Sequence, residues 1–229
     1  MEVLLFPNLP SSEFGSAPRE DRMPLRVAIL LFDDVEVLDF AGPFEVFAVA
    51  RLDHGDPAFE VVTVALRSGP VIARHDLTIL PAGTPDTLDR VDILVVPGGL
   101  GTRRELHNPA MIHFIRATSA SAQLTLSVCT GALLLGAAGL LDGRSATTHW
   151  AAMNELRALD CGAELHPEAR IVDNGALITS AGVSAGIDAA LHVVSRICGQ
   201  AAARETARYL QYDWPNAETA GRTVVRQKS

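Results

Sequence analysis

Hydrophobic and polar positions along the 229-residue chain fall into two alternating kinds of block. The first kind is short and almost wholly apolar: Arg26-Val27-Ala28-Ile29-Leu30-Leu31, Asp92-Ile93-Leu94-Val95-Val96 and Leu124-Thr125-Leu126-Ser127-Val128, each bounded by Pro, Gly or polar residues. Runs of this length without polar alternation predict strands buried on both faces, as in a parallel sheet covered by helices. The second kind repeats at three and four. Ile187, Ala190, Leu191, Val194, Ile197 and Cys198 fall on one helical face, with Gly199 as the stop. Met111, Ile112, Phe114 and Ile115 do the same after Asn108-Pro109, a cap followed by proline at the first helical position. Two further stretches predict hairpins, Pro70 to Leu80 turning near His75-Asp76 and Arg170 to Thr179 turning at Asp173-Asn174-Gly175. Together these blocks predict an α/β fold, a doubly wound, mostly parallel sheet between helices with small antiparallel additions.

Residues Pro7 to Pro24 lack any period and are rich in Pro, Ser, Glu and Arg, so residues 1–24 are expected to be a flexible extension. Met23 lies at its end and would serve as an alternative start. One domain is expected from 25 to 215, followed by a tail over 216–229. Apolar residues make up 48% of the chain and charged ones 20%, a balance that favours a packed core over disorder. The net charge is −8, from 19 basic and 27 acidic residues, which argues against nucleic acid as a partner. The longest apolar stretch, Val128 to Leu141, is interrupted by Thr130 and glycines and is too short to span a bilayer. Cys129, Cys161 and Cys198 form neither a CxxC pair nor a metal-ligand spacing, so a reducing cytoplasm is the expected setting. His54, His75, His107, His113, His166 and His192 suggest no metal site either.

The chemistry concentrates at three strand ends. Ser127-Val128-Cys129-Thr130-Gly131 runs from a buried strand into a helical pattern and resembles a nucleophile elbow, with Ser127 in place of the usual first glycine. A sulfur there would stand at the carboxyl edge of the sheet, at a helix N-terminus whose partial positive charge favours thiolate. Its plainer reading is a small buried hydrophobe. Pro97-Gly98-Gly99-Leu100-Gly101 follows another strand, and its backbone N–H groups could form an oxyanion hole; a simple turn is the bland alternative. Asp39, between Leu38 and Phe40 and just before a helix expected near Pro43, is placed to be desolvated and hence to move protons, or else to cap the helix. Glu45 offers a second carboxylate, explained equally by its expected place in a first helical turn. His149, in Ala146-Thr147-Thr148-His149-Trp150, is expected at the end of a short strand and either pairs with a cysteine or fixes a loop. Asp188 is expected to be structural. Val183, Trp150 and Phe40 are candidates to line a pocket or to pack in the core.

Taken together, Leu38-Asp39-Phe40-Ala41-Gly42-Pro43, Val96-Pro97-Gly98-Gly99, Ser127 to Gly131, Ala146 to Trp150 and Ala185-Gly186-Ile187-Asp188 resemble the DJ-1/PfpI superfamily, and within it the isocyanide (isonitrile) hydratases. The resemblance covers Leu25 to about Pro215. It implies a flavodoxin-like sandwich, similar to the class I glutamine amidotransferases, a homodimer, and hydration of a small-molecule electrophile with no cofactor. Carried over, Cys129 would attack the terminal carbon of R–N≡C to give a thioimidate that water releases as the N-formamide. Asp39 would handle the proton, Thr130 would bond beside the sulfur, and Gly98 and Gly99 would line the pocket. PfpI-type peptidases place a histidine where this chain has Thr130, which makes protease activity doubtful. DJ-1-like glyoxalases and deglycases typically place a glutamate where this chain has Asp39. A rival of another class is a ligand or redox sensor, since the same motifs resemble the amino-terminal domain of AraC-type regulators; the residues after Ala217 are too few for a DNA-reading module.

Overall fold

The structure is a computed structural model; it describes residues 23–52 and 55–214, and the backbone of 223–225. The expectations for residues 1–22, for His54 and for most of 216–229 lie outside the described residues. β1 (Leu25–Leu30), β5 (Ile93–Val96) and β6 (Leu124–Val128) are the three apolar runs of the sequence. They lie side by side and parallel, with β2 (Phe59–Val64) outside β1. Ile29, Leu94, Val95 and Leu126 have no exposed surface. Each such aliphatic side chain contributes about 1.5–3 kcal/mol by leaving water.

The full sheet has seven strands in the order β11-β9-β10-β6-β5-β1-β2, which adds β9 (Ile171–Asp173), β10 (Leu177–Ser180) and β11 (Thr223–Val225). Here the structure corrects the sequence reading. The 170–179 hairpin is not an appendage: β10 runs parallel to β6 inside the main sheet, and β9 returns antiparallel beside it. Its burial on both faces is what the apolar run Leu177-Ile178 encodes. Residues 223–225, expected in a tail, form an edge strand parallel to β9. The other hairpin is a small addition as expected. β3 (Val71–Ile72) and β4 (Thr78–Ile79) are antiparallel, and the turn between them puts His75 and Asp76 at positive φ.

Helices cover the sheet. α3 (Pro109–Ser121) begins as its sequence predicts, the Asn108 side chain accepting from the Ala110 N–H at 3.1 Å. α6 (Ala185–Cys198) ends at Gly199, which adopts φ 93°. α7 (Gln200–Tyr209) continues from it and packs on α6. α1 differs from expectation. It spans Val37–Val49, so Pro43 lies inside the helix and Asp39 in its first turn. Glu45 is therefore mid-helix and exposed, with neither a first-turn nor a site role. The remaining elements are α2 (Thr102–Glu105), α4 (Gly131–Ala137), α5 (Met153–Ala158), and the pair β7 (Ser145–Ala146) and β8 (Glu164–Leu165). Among the described residues no helix is long and apolar enough to cross a membrane.

Strand order places the site. From β1 the chain goes to β2 on one side, whereas β5 and β6 lie on the other, so the loops after β1 and β5 meet at the carboxyl edge at the reversal of strand order, where open sheets of this kind bind ligands. A bridge between Val35 and Gly99 and the Glu36 N–H bonded to the Gly98 carbonyl at 2.9 Å tie these loops together.

Candidate active site

Cys129 sits where β6 turns into α4, with φ at +58°, a left-handed conformation unusual for any residue but glycine. The elbow is held from three directions. The Cys129 N–H is shared between the carbonyls of Ser180 (3.2 Å) and Ala181 (3.1 Å), and the Cys129 carbonyl accepts from Thr148 Oγ1 at 2.7 Å. The third constraint is steric. A Cβ on Gly131 would stand 2.1 Å from the Val96 carbonyl oxygen, so only glycine lets α4 start this close to β5. Beneath the sulfur Ser127 is fully buried, and its hydroxyl has no partner.

Asp39 meets Cys129 from α1. It is fully buried; Oδ2 accepts from the Gly98 N–H at 3.0 Å, while Oδ1 has no hydrogen-bond partner. Burial raises its pKa to about 7. The Gly98 N–H, the Cys129 thiol and the Val183 N–H favour the anion and offset part of that rise, and the Glu36 charge adds to it. The thiol and the Val183 N–H face the carboxylate without closing a normal hydrogen bond to Oδ1.

Cys129 is pushed up further. Burial first, then the neighbouring Asp39 carboxylate, take the thiol to about 12, and the Thr130 N–H recovers only part of this. The partial positive charge expected at the helix N-terminus is thus opposed by burial and by the carboxylate beside the sulfur. α4 has only seven residues, and its weak dipole loses to desolvation and to a negative neighbour.

Two other expected placements change, those of the glycine N–H groups and of His149, and Thr130 meets the sulfur through its backbone. The Gly98 and Gly99 N–H groups do not face an open oxyanion position, because Gly98 donates to Asp39 and Gly99 to Thr130 Oγ1 at 2.9 Å. Gly98 has to be glycine for a different reason. A Cβ there would lie 2.5 Å from the Thr130 nitrogen and 2.8 Å from Asp39 Oδ2. Thr130 does sit beside the sulfur, but its hydroxyl donates to the Gly99 carbonyl at 3.1 Å and only its backbone N–H serves Cys129. His149 does not end a strand. It lies three residues beyond β7, where its Nδ1 accepts from the Ala151 N–H at 3.2 Å and caps a short 3-10 turn. Its ring packs on Gly182 and beside Trp150.

Of the pocket candidates, Phe40 is buried in the core and Trp150 is 79% exposed. Val183 contributes through its backbone, at φ +54°, with the N–H facing both Cys129 and Asp39. Arg103 is a site-bracing residue that no motif announces. It donates to the Gly99 carbonyl at 3.1 Å and pairs with Glu155 of α5 at 2.6 Å, linking the loop after β5 to α5. A separate cleft of about 770 Å3 opens near the ends of β1 and β2, between Phe32, Arg67 and His107, and none of the site residues lines it. No cluster of three or more His, Cys, Asp or Glu side chains among the described residues could hold a metal ion.

A mixed, mostly parallel sheet sandwiched by helices, with Cys129 at the strand-to-helix turn on its carboxyl edge, defines an α/β protein. The sequence pattern of the DJ-1/PfpI family matches residues 25–196, and the chain belongs to that family. It is 37% identical over 209 residues to the isonitrile hydratase of Pseudomonas putida, covering 89% of this chain and 88% of that one. A ThiJ/PfpI family protein from Pseudomonas syringae superposes with a TM-score of 0.76 at 30% identity, over 95% of this chain and 86% of that one. The chain is also 30% identical to the HTH-type transcriptional regulator CdhR of Pseudomonas aeruginosa, over 74% of its own length and 50% of the regulator's.

Proposed function

We propose that this protein hydrates isonitriles, R–N≡C, to N-formamides through a thioimidate on Cys129. The observation that carries this reading is the Cys129–Asp39 pair, a strained sulfur beside a carboxyl group that titrates at about 7. The isonitrile hydratase of Pseudomonas putida, similar over 88% of its length, supports the choice of substrate. The terminal carbon of an isonitrile accepts a nucleophile and a proton at the same atom. As the S–C bond forms, Asp39 takes the thiol proton and returns it to that carbon, giving R–N=CH–S-Cys129. Because the two events are coupled, a thiol near 12 need never stand free as thiolate. Water then adds to the C=N carbon, Asp39 taking one of its protons and passing it to nitrogen; the C–S bond breaks as the remaining hydroxyl proton moves through Asp39 to the sulfur, and R–NH–CHO leaves. All of these transfers pass through one carboxyl group, which is why a value near the working pH suits it.

The test is formamide production from an aryl isonitrile by native protein and by Cys129→Ala in parallel. Turnover by the native protein and a loss of roughly 10⁴-fold in the variant, with an unchanged far-ultraviolet dichroism spectrum, is the expected result. Equal turnover in both would remove the sulfur from the mechanism. A second reading, a ligand sensor, is favoured by the likeness to the regulator CdhR; it predicts isonitrile binding without formamide. We further propose a cytoplasmic homodimer. Leu38 and Phe44 stand more than a third exposed on α1 beside Asp39, an apolar face suited to a second copy. Sedimentation at micromolar concentration showing monomer alone would overturn the dimer.

A further inference from the structure

The loop 181–184 between β10 and α6 carries the Val183 N–H that faces the Cys129–Asp39 pair. A β-branched residue at φ +54° does not stay there unaided. Besides the Cys129 N–H bonded to the Ala181 carbonyl, the loop is held by Arg170, the residue before β9. Its carbonyl accepts from the Ala181 N–H at 2.9 Å, and its Nη2 donates to Ser184 Oγ at 3.2 Å. One residue thus grips the loop on both sides of Gly182-Val183. Arg170 is itself anchored, because its Nε donates to Asp188 Oδ2, and Asp188 is buried in the first turn of α6. Tyr212 OH donates to the other Asp188 oxygen at 3.0 Å. The guanidinium, the carboxylate and the phenol therefore form one satisfied network behind the loop, while the pair in front of it is under-satisfied.

We propose that Arg170, anchored by Asp188, is a positioning residue for the reaction, holding the 181–184 loop so that the Val183 N–H stays aimed at Cys129 and Asp39. This rests on Cys129 as the nucleophile but not on isonitrile as the substrate. Besides the pair itself, the charged group that acts on it is Glu36, before α1; the other titratable side chains on the surrounding elements are Asp33 and Asp34 after β1, Glu45 in α1, Arg103, Arg104 and Glu105 in α2, His149 after β7, and Asp188, His192 and Arg196 in α6. α4 carries none. Arg170 acts through the backbone it grips.

The experiment is the rate of iodoacetamide alkylation at Cys129 against pH, read on the Cys129 peptide by mass spectrometry so that Cys161 and Cys198 do not contribute. Because the pair loses one proton before the thiol is fully ionised, the native profile should inflect near 7. In Arg170→Ala the inflection should move up by about one pH unit, with alkylation at pH 6 roughly tenfold slower, since the anion loses a donor. Arg170→Lys should fall between, as one ammonium cannot serve both Asp188 and Ser184. Ser184→Ala, which removes a single exposed contact and serves if Arg170→Ala does not fold, should move it up by a smaller step. A lower melting temperature with an unmoved inflection in Arg170→Lys and Ser184→Ala would overturn the proposal, leaving Arg170 merely structural. A moved inflection in a protein that forms no formamide would uphold it and sink the isonitrile reading instead.

Discussion

Two buried aspartates at opposite ends of the same sheet show how partners decide what a carboxylate does. Asp173 ends β9 at the edge where β6 and β10 begin. It accepts from His192 Nε2 at 2.7 Å, from Arg196 Nη1 at 3.0 Å and from the Gly175 N–H at 2.8 Å. Burial pushes its pKa up, but the His192 hydrogen bond and the Arg196 charge outweigh that and hold it below the usual range. Asp39, at the carboxyl edge, is buried as deeply with one N–H on Oδ2 and nothing on Oδ1, and burial wins. The first is an ionised clasp pinning a hairpin turn to α6. The second is a proton carrier kept close to neutrality, and the folded state tolerates it at a cost.

The sharpest way to break this comparison is Asp39→Asn, which keeps the Gly98 contact but cannot carry a proton. Turnover should fall on the order of 10²–10⁴-fold, measured as formamide release. An effect under about tenfold would demote Asp39 from proton carrier to positioning. The same variant should alter stability in the opposite sense. A carboxyl group whose pKa rises from 3.8 to about 7 on folding binds more protons folded than unfolded, so native stability should decline as pH rises from about 4 to 7. The loss approaches a limit on the order of 4 kcal/mol above that window. Asp39→Asn should flatten this decline, read as melting temperature against pH. The raised thiol of Cys129 adds nothing to that slope, since it matters to folding only above its usual 9.0.

Asp173→Asn should do the reverse. Removing the charge leaves Arg196 without its counter-ion, costing roughly 3 kcal/mol at neutral pH, while turnover should change by about twofold at most at so distant a site. Asp173 is depressed on folding, so its contribution is present above about 4 and fades as the pH falls through its lowered value. Denaturant unfolding at pH 7 and pH 3 separates the two. Equal destabilisation at both would show that packing rather than charge is what the asparagine loses.

The sequence made one half of this contrast legible and hid the other. Strands β1, β5 and β6 were readable because each is apolar on both faces, and Cys129 because a strand runs straight into a helical pattern. Asp39 was readable as desolvated from Leu38 and Phe40. The start of α1 was not, because Pro43 reads as a first-turn residue while the helix admits it inside. The uses of the Gly98 and Gly99 N–H groups were also hidden, since a glycine pair looks the same whether its donors face a substrate or a buried side chain. Nor does Val183 betray itself: nothing local in a valine predicts positive φ, and the loop around it is bonded by Arg170, thirteen residues upstream, and by Cys129, far away in sequence. Loop residues fixed by distant partners are where reading along the chain fails.

The smallest expected effect concerns His149, where the two ends of the comparison meet a plain alternative. If the site worked by a cysteine–histidine pair, this ring would carry the proton and Asp39 would orient it. Instead its Nδ1 is occupied by the Ala151 N–H, and the ring lies over Gly182, next to the strained Val183. His149→Ala should therefore cost about 1 kcal/mol of stability, the worth of a lost cap, and reduce turnover by less than about tenfold, through a looser 181–184 loop rather than a missing base. The pH dependence of turnover distinguishes these causes. A loosened loop lowers the rate and leaves a profile still governed by the Asp39 group near 7, whereas a loss beyond about a hundredfold with that inflection gone would put the proton on the imidazole and make Asp39 its support.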